Sequence, residues 1–233
     1  MKYYLDTEFI EDFTNPWFGK KRHYIDLISL ALVAEDGREG YWVSNEFDLA
    51  YVWHKCQPGM PDETTGIPEP VYWLRENVLR PIYEDLKSRV GTYGKTYHPA
   101  LFDEFSLKCL KTLIGWYGKS NRTIAQEISE FVFAGLKPNN PTQFYAYYAD
   151  YDWVLLCSLF GRMLDLPPGF PYYCRDLKQT KVELEEALDS PRVDIDYTLE
   201  EDSDYPVQVG EHNALADARW NKRLHDFLSQ KKK

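Results

Sequence analysis

The order of apolar segments predicts an α/β fold built on a mixed five-stranded sheet flanked by helices. Two observations carry this. The first three apolar segments read as an antiparallel meander, and the remainder of the chain alternates helical and strand spacing. With 44% hydrophobic and 16% aromatic residues in 233, the chain has enough apolar mass for a core, and its length suits one domain with an insertion at about 45–117.

Element by element, strand spacing runs from Lys2 to Phe9. Tyr3, Leu5, Thr7 and Phe9 fall on one side, and Tyr4, Asp6 and Glu8 on the other. A second apolar run, Tyr24 to Ala34, ends at the hairpin signal Asp36-Gly37, and Gly40 to Ser44 follows as a third strand. Asn45 to Pro70, rich in Pro and Gly, reads as a long surface loop. The stretch VYWLRENVLRPIYEDLKSRV is helical with a kink near Pro81, and HPALFDEFSLKCLKTLIGWYG and SNRTIAQEISEFVFAG give two more helices. TQFYAYYA is the fourth strand, a helix starts at about Tyr151, and PYYCRDL is the fifth strand. An acidic loop from LDSPRV to VQVGE precedes the closing helix NALADARWNKRLHDFL.

No apolar run reaches the roughly 18 residues of a membrane span, and no basic stretch followed by an apolar one opens the chain. Cys56, Cys109, Cys157 and Cys174 form no C-x-x-C pair and read as reduced, mostly buried thiols. A cytoplasmic protein with no membrane partner is expected. The formal charge of −10 argues against a protein that coats a phosphate backbone, but not against an enzyme that holds a few nucleotides through divalent cations.

Polar residues gather at three strand-to-helix junctions, where sites of α/β sheets collect. Asp6 and Glu8, two apart on a strand, point the same way, and two ionised carboxylates side by side are costly to bury without a cation. Alone, such a pair reads more often as solvated acids at a strand end. Asp150 and Asp152 sit where the fourth strand hands over to a helix; read singly, one is an N-cap and the other a first-turn acid. His212 precedes the last helix and Asp217 lies five residues on; read singly, they are a surface imidazole and a partner for Arg219 or Lys222. Four acids and a histidine at three junctions fit these separate readings less well than a shared site.

LDTEF, ADYD and HNALADAR together resemble the three motifs of the DEDD superfamily of 3′-to-5′ exonucleases, in its histidine-bearing branch. YYLDTEFIED, LISLALVAEDGREGY and HNALADAR look most like the small bacterial exoribonucleases called RNase AS, which trim adenylate-rich RNA. The likeness runs from Met1 to about Phe227, with a segment from about Asp48 to Tyr117 longer than the family's pattern. The resemblance implies an RNase H-like architecture and two-metal-ion hydrolysis that releases nucleoside monophosphates from the 3′ end of single-stranded RNA. Asp6 would bridge two divalent cations, Mg²⁺ or a substituting Mn²⁺. Glu8 and Asp217 would complete the first cation's ligands, and Asp152 would hold the second, partly through water. His212 would be the general base. Asp150 stands where the family often has a neutral residue; an aromatic followed by Asp favours Asp152.

Such cations prefer oxygen donors and can activate water while neutralising the leaving oxygen, and an imidazole suits the proton transfer. By analogy, main-chain amides at Phe9 and Ile10 contact the terminal sugar, and Tyr151 contacts substrate. Trp17, Phe18, Tyr148 and Tyr151 are candidates to stack on bases, with core packing as the competing explanation. Lys20, Lys21 and Arg22 are candidates for phosphate contact, against an ordinary charged hairpin surface. The expected partners are an RNA 3′ end and a second copy of the chain. The rival activities are the same chemistry on single-stranded DNA, a catalytically silent nucleic-acid-binding module, and a metal-binding regulator.

Overall fold

The computed structural model describes residues 1–14, 18–61, 68–90, 102–136, 140–188 and 198–232. Five strands form the main sheet in the order β3-β2-β1-β6-β7: β1 (Lys2–Phe13), β2 (His23–Ala34), β3 (Glu39–Val43), β6 (Gln143–Ala146) and β7 (Arg175–Asp176). β1 pairs parallel with β6, and β6 parallel with β7. Glu35 N–H donates to the Lys2 carbonyl, and Thr14 N–H to the Arg22 carbonyl, which ties opposite ends of β1 and β2 together. Gly37 N–H closes the turn after β2 onto the Ala34 carbonyl, and Gly37 takes φ +89°, which an L side chain rarely adopts. The sheet is therefore mixed, as the apolar pattern predicts.

Cα packing divides the chain into two compact units: Met1–Thr7, Ser29–Trp42 and Asn121–Lys233 in one, and Glu8–Ile28 and Val43–Ser120 in the other. In the first, β1 is buried on both faces because it lies centrally in the sheet. Tyr3 stacks on Phe144 with ring centroids 5.5 Å apart and donates its hydroxyl to the Val132 carbonyl at 2.9 Å. On the opposite face Tyr4 joins Tyr145, Leu177, Ala218, Trp220 and Leu224 in a continuous core. This unit also holds α4 (Asn121–Phe133), α5 (Ala149–Phe160), α6 (Leu177–Leu188) and α7 (Ala214–Lys231).

The second unit carries α1 (Leu49–His54), α2 (Arg80–Ser88) and α3 (Leu107–Tyr117), with a two-stranded hairpin, β4 (Gln57–Pro61) with β5 (Pro68–Val71). The expected surface loop at Asn45–Pro70 thus contains a short helix and a hairpin. A π-helical turn, Arg75–Leu79, runs into α2, and Pro81 stands at the start of α2. Proline lacks the N–H for an ordinary helical bond, so the irregularity falls upstream of it.

Three other details differ from the sequence reading. The fourth strand stops at Ala146, and α5 begins at Ala149. The fifth strand has two residues, and α6 follows it at once where no helix was expected. Cys56 is exposed, whereas Cys157 is buried.

Candidate active site

Three carboxylates converge from two distant segments. One oxygen each from Asp6, Glu8 and Asp217 lie within 4.8 Å of one another. The β alternation aims Asp6 and Glu8 to one face of β1, and Asp217 stands in the first turn of α7. Two side chains hold α7 in place. Asn213 caps it, accepting from Ala216 N–H at 3.1 Å. One turn past Asp217, the buried Asn221 donates from Nδ2 to the Leu5 carbonyl at 2.8 Å, next to Asp6 in sequence.

Asp217 is fixed at both oxygens. Gln208 Nε2 donates to Oδ1 at 2.7 Å, and the His212 backbone N–H donates to Oδ2 at 2.8 Å. His212 is held at φ 65°, a left-handed conformation in which its amide turns back onto the helix it precedes. Burial pushes the Asp217 pKa up, opposed by the bonds from Gln208 and His212.

Asp152 lies outside this trio. It is 5% exposed and accepts from the Thr7 hydroxyl at 2.6 Å. Thr7 sits between Asp6 and Glu8 and points to the other face of β1. Burial raises the Asp152 pKa to about 7; the hydroxyl and main chain of Thr7 pull it back, and Asp176 and Asp217 add to the rise. Asp176 in turn accepts from Ala149 N–H at 3.1 Å and from Lys178 N–H at 2.6 Å, so one carboxylate caps the starts of α5 and α6. Asp150, two residues before Asp152, is exposed.

Among the candidates for substrate contact, Ile10 is buried, at 2% exposed. Phe9 is half-buried, and Tyr151, Tyr148 and Phe18 are exposed. Trp17 lies outside the described residues. Sequence reasoning passed over Thr7, Gln208, Asp176 and Asn221. Thr7 carried a signal, being the polar residue on the Tyr3–Leu5–Phe9 side of the strand. Gln208 carried none, since only the folded loop brings it to Asp217.

An all-oxygen set of three carboxylates suits a hard divalent cation such as Mg²⁺ or Mn²⁺, and a cation offsets the cost of crowding like charges in a half-buried place. Asp6, Glu8 and Asp217 are the residues able to hold it.

A family model described as 3′-5′ exoribonuclease Rv2179c-like domain matches residues 108–228. The chain is 31% identical over 219 residues to two curated proteins of Mycobacterium tuberculosis, the 3′-5′ exoribonuclease Rv2179c of strain H37Rv and the 3′-5′ exoribonuclease MT2234.1 of strain CDC 1551. Each alignment covers 94% of this chain and 88% of the relative. With both kinds of match in agreement over a chain that gathers a carboxylate cluster, the protein belongs to the Rv2179c-like 3′-5′ exoribonuclease family.

Proposed function

We propose that this chain shortens RNA from its 3′ end by metal-dependent phosphodiester hydrolysis, as a histidine-bearing DEDD exonuclease of the RNase AS type. The observation that carries the proposal is the meeting of Asp6, Glu8 and Asp217 within 4.8 Å. The products are a nucleoside 5′-monophosphate and an RNA one residue shorter with a free 3′-hydroxyl.

In this reading Asp6, Glu8 and Asp217 would hold one divalent cation, and Asp152 would hold a second, partly through water. When bound, such cations lower the pKa of water and offset charge on the leaving 3′-oxygen. The chain's own residues do the rest. Gln208 and the His212 amide keep Asp217 in one rotamer, so its remaining lone pairs face the cluster. Thr7 does the same for Asp152. The His212 ring accepts the proton of the attacking water, and the left-handed backbone at this residue fixes where that ring starts from. The main chain at Phe9 and Ile10 contacts the terminal sugar, with Tyr151 against the nucleotide. The same reading takes magnesium as the working cation, with manganese as a substitute. It also takes adenylate-rich RNA as substrate, a cytoplasmic setting, pairing of two copies and one exonuclease domain spanning 1–233.

The test uses one RNA oligomer labelled at either end, incubated with Mg²⁺. The expected result is release of the 3′ label as mononucleotide and stepwise shortening of the 5′-labelled strand, both stopped by chelator. A ladder of internal cuts that ignores the 3′ terminus contradicts the proposal.

A further inference from the structure

Tyr148 is in a place where the backbone disfavours a tyrosine. It takes φ 59° and ψ 55°, a left-handed conformation that is strained for a bulky side chain. It occupies the N-cap position of α5 yet makes no capping hydrogen bond. Both features favour Asn or Gly at this position. The residue is nevertheless 62% exposed. The backbone conformation and the missing cap therefore count against a tyrosine here, while the residue stays open to solvent.

The Tyr148 ring meets Tyr147 edge-on at 4.9 Å, and Tyr147 meets Trp220 edge-on at 5.0 Å. Trp220 is three residues after Asp217 on α7, and its Nε1 donates to the Pro206 carbonyl at 2.8 Å. Tyr148 itself is four residues before Asp152 on α5. A row of rings thus links the helix of Asp152 to the helix of Asp217. The Lys178 ammonium lies 5.9 Å from the Tyr147 ring and 6.0 Å from the Tyr148 ring, and it also interacts electrostatically with Glu200. An open aromatic face with a cation beside it is the pairing that binds single-stranded nucleic acid, the ring stacking on a base and the cation meeting a phosphate.

We infer that Tyr148 is a stacking platform for a base next to the scissile phosphate and that Lys178 is its phosphate contact, an assignment that rests on the RNA-exonuclease reading above. Stacking needs only a π face, so the platform supplies affinity and not base identity.

The experiment measures kcat and KM of wild type, Tyr148→Asn, Tyr148→Phe and Lys178→Gln on single-stranded RNAs ending in each of the four nucleotides. It also uses RNAs made abasic at the last or the penultimate position. Tyr148→Asn raises KM by about 5- to 100-fold, equally for all four ends. Its kcat stays within about twofold, because binding and not chemistry is touched. Its melting temperature is at or above that of wild type, since Asn accepts the backbone conformation. Tyr148→Phe behaves as wild type. One abasic substrate costs wild type the same factor and costs Tyr148→Asn nothing further. Lys178→Gln lowers the slope of log KM against log salt by about 0.7. If Tyr148→Asn keeps the wild-type KM, or loses kcat together with melting temperature, the platform is wrong. The same holds if it changes the oligomeric mass in solution while KM stays put, for the ring is then a protein contact. Absence of 3′-end release by wild type itself sinks the exonuclease reading instead.

Discussion

The Thr7 hydroxyl donates to the Asp152 carboxylate at 2.6 Å, from the face of β1 opposite to Asp6 and Glu8. One three-residue stretch thus reaches both sides of its strand, with acids on one face and a carboxylate-orienting hydroxyl on the other. Replacing Thr7 with Val keeps the shape and deletes the donor. The expected loss is about 10- to 100-fold in kcat/KM, the range for partners that orient ligands. Stability falls by about 1–3 kcal/mol from the unsatisfied buried acceptor. Steady-state kinetics and a denaturant melt on the same preparation check both.

Asp152 also sets a pH dependence whose sign is fixed. Its folded pKa is raised to about 7 from an ordinary 3.8. The folded state therefore disfavours the ionised form. Its contribution is fully present below about pH 4 and is lost as pH rises toward 7. Metal-free wild type is expected to lose stability relative to Asp152→Asn between pH 4 and 8, by on the order of 4 kcal/mol at most. Mg²⁺ favours the ionised form and shrinks the difference. Urea titrations of both proteins at several pH values, with chelator and with Mg²⁺, decide it; a gap that does not change with pH contradicts the assignment.

Gln208 tests whether the geometry of Asp217 matters to the cation. Gln208→Ala removes the donor to Oδ1 and leaves the backbone bond from His212. Mn²⁺ affinity is expected to fall by about 10- to 100-fold with little change in melting temperature. Isothermal titration calorimetry with Mn²⁺ reads it directly; unchanged affinity at unchanged stability makes Gln208 a bystander.

Asn221 ties the closing helix to the first strand through the Leu5 carbonyl. Asn221→Leu leaves that buried carbonyl without its donor and is expected to cost about 1–3 kcal/mol. Because α7 carries Asp217, cation affinity should fall with it. A melt that moves while Mn²⁺ binding stays fixed separates fold support from site support.

What could be read from the residues follows from how local each signal is. Asp6 and Glu8 were legible because strand alternation is a two-residue pattern, and Asp217 because it falls five residues after His212 near the start of the closing helix, within HNALADAR. The choice of Asp152 over Asp150 follows the aromatic before it, and the two prove to differ as buried and exposed. Leu177–Leu188 was missed as a helix because polar and charged residues together fill most of it, with a sparse apolar stripe. The Gln57–Pro61 and Pro68–Val71 hairpin was missed because its prolines speak against a strand until two edges pair. Gln208 and Asn221 act through partners 9 and 216 residues away, and only tertiary structure joins them.

The central claim is that Asp6, Glu8 and Asp217 enclose a divalent cation. A crystal soaked in MnCl₂ and measured at the manganese edge tests it most directly. An anomalous peak is expected about 2.1 Å from one oxygen of each of these three carboxylates, abolished in Asp217→Ala. A soaked crystal with no peak among the three, or with the peak unchanged in Asp217→Ala, contradicts it.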